Sequence, residues 1–130
     1  MLLHISSDGP PIYQQIVEQI RFRIVSGQLR VGDELPTIRG LAETLRVNPN
    51  TVARAYRELA HDSLVEKRRT TGTFVAELPK QKGIAQRRKM IAPEVDRLLI
   101  SARQLGIELN DLTQMLTKRD RELTDKEAKS

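Results

Sequence analysis

The chain has 130 residues, of which 38% are hydrophobic and 30% charged, and it carries a formal charge of +5. That size suits one domain or a small domain with an appendage, and the balance of apolar and charged residues excludes a disordered chain. With no apolar run near the roughly 18–20 residues of a membrane span, no secretory signal in MLLHISSDGPPIY and no cysteine for disulfides or Cys-ligated metal, a cytoplasmic protein without a membrane partner is expected.

The first predicted helix runs from about Pro11 to Ser26. Ile12, Ile16, Ile20 and Ile24 recur every four residues, and Tyr13 and Val17 widen the stripe. Pro11 suits a first helical turn and Gly27 the position just past the end. QLRVGDELP then reads as a Gly/Asp-rich connection with a short extended piece ending at Leu35–Pro36. A second helix is expected from about Thr37, its N-cap, to Leu45, with Ile38, Leu41, Ala42 and Leu45 facing inward. Gly40 stands where a capping box would carry Glu. RVNPN is a tight turn in which Asn48 caps a third helix and Pro49 takes its first position. That helix reaches about His61, with Val52, Ala55, Tyr56 and Leu59 on its inner face.

The period then changes from 3.6 to 2. SLVEKRR and GTFVAE read as two short strands joined by a tight turn around Thr70–Gly72. Residues 78–83 read as a polar linker. Beyond it, Val95, Leu98, Leu99 and Ala102 form a helical stripe that ends near Gly106, and Leu109, Leu112, Met115 and Leu116 form another. The tail RELTDKEAKS is polar and is expected to fray.

Three helices followed by a hairpin is the element order of a winged helix-turn-helix. The expected fold is mainly α with a small β-hairpin. An N-terminal winged helix-turn-helix DNA-binding domain spans 1–78, and 79–130 form a linker plus a short two-helix dimerisation or effector appendage. Net charge does not carry this reading: residues 1–79 hold ten Lys/Arg against nine Asp/Glu, and residues 80–130 hold twelve against eight. The placement of single arginines must carry it.

A helix pair with a short turn can set its second helix in a major groove. With the apolar faces inward, Asn50, Thr51, Arg54 and Arg57 fall on the outer side of the third helix. Its N-terminal turn is expected to present free backbone N–H groups and partial positive charge to phosphate oxygens. Asn and Arg suit bidentate contacts with adenine and guanine edges. Thr37 and Arg39 open the second helix and Asn48 the third. Lys67, Arg68, Arg69, Thr71 and Gly72 surround the hairpin turn, where a wing meets the DNA backbone or minor groove.

The residues from Ile12 to Val75 resemble the GntR family of bacterial regulators. The resemblance rests on Ile24-x-Ser-Gly-x-Leu-x-x-Gly-x-x-Leu-Pro36, on Leu35-Pro-Thr-x-Arg39, on Asn50-Thr-Val-x-Arg-Ala-Tyr56 and on Gly72-Thr-Phe-Val75, in this order and spacing. It implies DNA contacts by Arg39, by Asn50, Thr51 and Arg54, and a wing glycine at Gly72. Many members carry arginine two residues after the threonine of the third helix; here that position is Ala53 and the arginine is Arg54. Thr70 and Thr71 replace a usual glycine and basic residue at the wing tip. The roughly fifty residues after the hairpin are too few for an aminotransferase-like or large ligand domain, so the chain resembles the YtrA-type branch with its short two-helix appendage. That resemblance implies a repressor.

Val95, Leu98, Leu99, Ala102, Leu109, Leu112, Met115 and Leu116 cannot close a core in two short helices, and a second copy is the expected cover. A two-fold dimer implies a pseudo-palindromic operator. A small-molecule effector is compatible with the appendage but not indicated, since so few residues leave little volume for a pocket. His4 and His61 have no ligand spacing, so no metal or other cofactor is expected. No nucleophile, paired-acid or phosphate-loop pattern points to an enzyme. The competing class is a winged-helix protein-interaction module that has lost DNA binding. The basic outer face of the third helix speaks against it.

Overall fold

The computed structural model describes residues 1–68 and 72–129. Along the chain run α1 (Ile12–Val25), α2 (Ile38–Leu45), α3 (Pro49–His61), β1 (Val65–Arg68), β2 (Gly72–Val75), α4 (Lys80–Gln104) and α5 (Leu109–Ala128). They fall into two compact units, Met1–Arg87 and Arg88–Ser130.

In the first unit α3 is central, and α1, α2 and β1 all pack on it. Val52, Ala55, Tyr56 and Leu59 of α3 are buried against Ile16, Val17 and Ile20 of α1 and Leu41 and Ala42 of α2. Each large aliphatic side chain among them contributes about 1.5–3 kcal/mol by leaving water. The strands pair antiparallel from Val65↔Val75 to Arg68↔Gly72. Only the valine pair at the hairpin base is buried, and it closes the core from below. The extended piece before α2 lies along β2: Glu34 bridges Phe74, and the Leu35 N–H donates to the Thr73 carbonyl at 2.8 Å.

Two features of α1 differ from the sequence expectation. Pro11 is its N-cap rather than a first-turn residue, and Ile12 is exposed while Gln15 is buried. The cause is the N-terminal segment, which lies along the helix. The Gln15 amide donates to the carbonyls of Ser6 and Pro10 and accepts from the Ser6 N–H. Gln19 pairs in the same way with the backbone of His4. A glutamine is tolerated inside because its polar atoms are satisfied there. Arg21, also on α1, pairs at 2.6 Å with Asp62 beyond the end of α3, both largely shielded from water.

The ends of α1 to α4 follow one pattern with two chemistries. Gly27 and Gly106 take positive φ where glycine is expected. Arg46 after α2 and Ser63 after α3 do the same with φ of 57° and 64°. Both are held by a six-residue backbone closure, Val47 N–H to Ala42 and Leu64 N–H to Leu59. The left-handed residue in the helix-turn-helix turn is therefore an exposed arginine, at a steric cost of about 1–2 kcal/mol.

In the C-terminal part of the chain, helix extends beyond the expected bounds at both sides. Residues 80–83, read as linker, are the first turn of α4, with the Gly83 N–H on the Pro79 carbonyl. Lys and Gln are good helix formers, and Pro79 precedes the first turn, where its ring obstructs nothing. Pro93 is accommodated inside α4. The tail read as frayed is helical to Ala128, consistent with its run of Arg, Glu, Leu, Lys and Ala and with an Arg119–Glu122 pair on its surface. Ala102 and Leu112, expected on a face awaiting a second copy, are buried by the chain itself. Leu99 is half-buried, whereas Val95, Leu98, Leu109, Met115 and Leu116 are exposed.

Candidate nucleic-acid interface

The outer face of α3 is fixed by its inner one. With Val52, Ala55, Tyr56 and Leu59 turned to the core, Asn50, Arg54 and Arg57 are exposed and Thr51 is half-exposed. The Tyr56 hydroxyl donates to the Pro36 carbonyl at 2.7 Å. This bond ties α3 to the residue just ahead of α2, and burial pushes the phenol pKa up. Tyr56 is therefore core, not a stacking platform for bases. Arg39 lies exposed in the first turn of α2 and has no hydrogen bond or ion pair among the described residues.

Both helix starts are capped as their sequences imply. Thr37 accepts from the Gly40 N–H at 3.0 Å, and Asn48 accepts from the Asn50 N–H at 2.8 Å. These side-chain oxygens are engaged, which leaves the Thr37 hydroxyl proton and the Asn48 amide N–H groups for other partners. Capping also corrects one expectation. The start of α3 does not present free backbone N–H groups: Pro49 has none, Asn50 serves the cap, and Thr51 donates to the Asn48 carbonyl at 2.9 Å. An anion there meets the residual helix dipole and side chains. The N–H groups of Ile38 and Arg39 in α2, by contrast, have no partner among the described residues.

The arginines differ in how they are held. Arg54 lies over the Tyr13 ring at 3.7 Å and makes no pair with Glu58, its neighbour one turn on, among the described residues. Arg57 is exposed with no partner among the described residues. On the wing, Lys67 is exposed, and Arg68 lies 4.4 Å from the Phe74 ring and 3.2 Å from Glu66. Gly72 has φ of 118°, and a Cβ there would stand 2.9 Å from a Glu34 carboxylate oxygen, so only glycine suits the start of β2. Arg69, Thr70 and Thr71, expected at the wing turn, lie outside the described residues.

Two residues on this side were not singled out by sequence. By spacing Tyr13 belongs to the apolar stripe of α1, but its ring faces Arg54. Arg46 sits in the turn itself, and its sign was only a lone basic residue where a glycine would be conventional.

Residues 12–75 match the model of the bacterial regulatory proteins of the gntR family. The HTH-type transcriptional repressor YtrA of Bacillus subtilis is 36% identical over 106 residues, which are 82% of each chain. The chain belongs to the GntR family. Within it, the similarity over 82% of each chain places it with the YtrA-type regulators. A GntR family transcriptional regulator from Listeria monocytogenes superposes with a TM-score of 0.71 at 32% identity, covering 87% of this chain and 98% of that one. The DNA-binding domain of AraR, solved in complex with its operator, superposes with a TM-score of 0.52 at 28% identity over 58% of this chain and 99% of that one. As a GntR member with this winged helix, the chain is a DNA-binding transcription regulator. Among its described residues no helix is long and apolar enough to cross a membrane.

Proposed function

We propose that the protein is a cytoplasmic homodimeric repressor that binds a pseudo-palindromic operator in double-stranded DNA and lays α3 in the major groove. The observation that carries the reading is the two-sidedness of α3: Val52, Ala55 and Leu59 are fully buried while Asn50, Arg54 and Arg57 stand in water. A helix so fixed can present polar groups to base edges without rearranging. Arg39, Asn50, Thr51, Arg54 and Arg57 are the proposed contacts from the helices, with Thr37 and Asn48 touching the backbone through the protons their caps leave free. Arg68, Arg69, Thr71 and Gly72 are the proposed contacts of the wing.

The second unit supplies the second copy. Val95, Leu98, Leu109, Met115 and Leu116 expose apolar surface that water disfavours. Repression is carried over from the Bacillus subtilis repressor that the chain is similar to. The test is binding to duplex DNA across a salt series. Contacts to phosphates release counterions, so affinity should fall by about tenfold or more for a few-fold rise in salt. An affinity indifferent to salt would favour a winged-helix module that binds protein instead.

A further inference from the structure

We infer that Tyr13 of α1 is a positioning residue for DNA recognition, which holds the Arg54 guanidinium flat so that its N–H edge points to a base in the major groove. The inference rests on the reading of α3 as the recognition helix and adds a residue from outside the helix-turn-helix.

The geometry has three parts. First, the guanidinium carbon of Arg54 stands 3.7 Å from the Tyr13 ring centroid, close enough for a stacked cation–π contact. Second, Arg54 has no hydrogen bond or ion pair among the described residues, so its donors are uncommitted although the side chain is held. A ring on one face of a guanidinium leaves the in-plane N–H donors accessible, and those are the donors that match O6 and N7 of guanine. Third, Tyr13 is itself anchored. It sits in the first turn of α1, half-buried and packed against the hydrophobic core, on a helix that packs directly on α3.

The chemistry follows from these parts. An exposed arginine samples many rotamers, and binding DNA freezes them. A stack that selects one rotamer beforehand lowers that entropic penalty and restricts which base pair the arginine reaches. The contact also competes with the local alternative, a surface pair with Glu58 one turn along α3. The same device recurs on the wing, where Arg68 lies over Phe74. Two of the four aromatic residues of the chain thus carry an arginine from the candidate face.

The experiment is a double-mutant cycle on the full-length protein. The probe is a duplex recovered by selecting bound sequences from a random DNA pool with the wild-type chain. Affinity is measured for wild type, Tyr13→Phe, Tyr13→Leu, Arg54→Ala and Tyr13→Leu/Arg54→Ala, with circular dichroism to confirm folding. Tyr13→Phe keeps the ring and should bind like wild type. Tyr13→Leu keeps bulk and loses the stack, and should weaken binding by roughly 3- to 30-fold, the range that a cation–π contact spans. In the Arg54→Ala background the same change should have no further effect. Repeating the selection with Tyr13→Leu should relax preference at the same base pair that Arg54→Ala relaxes, which a merely structural role of Tyr13 would not do. Tyr13→Leu binding like wild type, or weakening binding equally with and without Arg54, overturns the inference. If Arg54→Ala weakens binding in the same assay while Tyr13→Leu does not, the recognition-helix reading survives that failure. A wild-type chain that enriches no sequence overturns both.

Discussion

Between Met1 and Arg87 the inward apolar residues are covered by their own chain, from Ile16 on α1 to Val75 on β2, whereas between Arg88 and Ser130 only Ala102 and Leu112 are buried among the described residues. The contrast separates two tasks. A unit that completes its own core can leave Arg39, Arg54 and Arg57 facing water as uncommitted donors on fixed helices. A unit of two helices has too little interior for that. It keeps Leu98, Leu109, Met115 and Leu116 at the surface, where a second copy of the chain is the proposed cover.

Substitutions can break this contrast at either end. The largest effect is expected at Leu59, fully buried on α3. Leu59→Ala should lower stability to denaturant by about 2–5 kcal/mol, by lost burial plus a cavity. Leu98→Glu should leave the far-ultraviolet spectrum unchanged yet weaken self-association by about 2–4 kcal/mol, because a charge replaces an apolar contact in the proposed interface. Sedimentation reads that shift, and an unaltered dimer would remove Leu98 from the interface. Arg39→Ala should weaken operator binding by about 1–3 kcal/mol with stability unchanged; equal affinity for wild type and variant in a DNA titration would strike Arg39 from the contact set.

The smallest effect concerns Tyr56. Tyr56→Phe should cost about 1 kcal/mol at neutral pH, through the lost bond to the Pro36 carbonyl. Burial raises the phenol pKa in the folded protein, so the unfolded chain deprotonates first. The stability that Tyr56 contributes is thus present below pH about 10, the ordinary value for tyrosine, and is lost as pH rises beyond it. Denaturation curves should show the wild-type advantage over Tyr56→Phe shrinking above that pH. A constant difference across the alkaline range would contradict the burial effect.

Much of the winged helix could be read from periodicity and punctuation. Pro49 behind Asn48, Thr37 before Ile38, and the switch to Val65 and Val75 on the strands are local signals, and each acts through its own neighbours. What escaped depended on distant partners. Gln15 is buried because Ser6 and Pro10 offer it backbone groups. Nothing within α1 announces that. Arg46 and Ser63 take left-handed conformations for which sequence expects glycine, since packing at both helix ends outweighs the local preference. The start of α3 was expected to offer free N–H groups, but the cap that marks the helix in sequence is what occupies them. Tyr13 looked like one more member of an apolar stripe, because periodicity reports which face turns inward and not what lies over the rim. The linker and tail failed for another reason. Polar helix formers without an apolar stripe carry propensity but no period.

The proposal that the first unit reads DNA and the second brings a second copy is tested most directly by selecting duplexes from a random pool with the full-length chain. Two copies related by a two-fold axis predict an inverted repeat, its half-sites separated by about one helical turn of roughly 10 base pairs or a multiple of it. Enrichment of a single asymmetric half-site, or of a direct repeat, would contradict it.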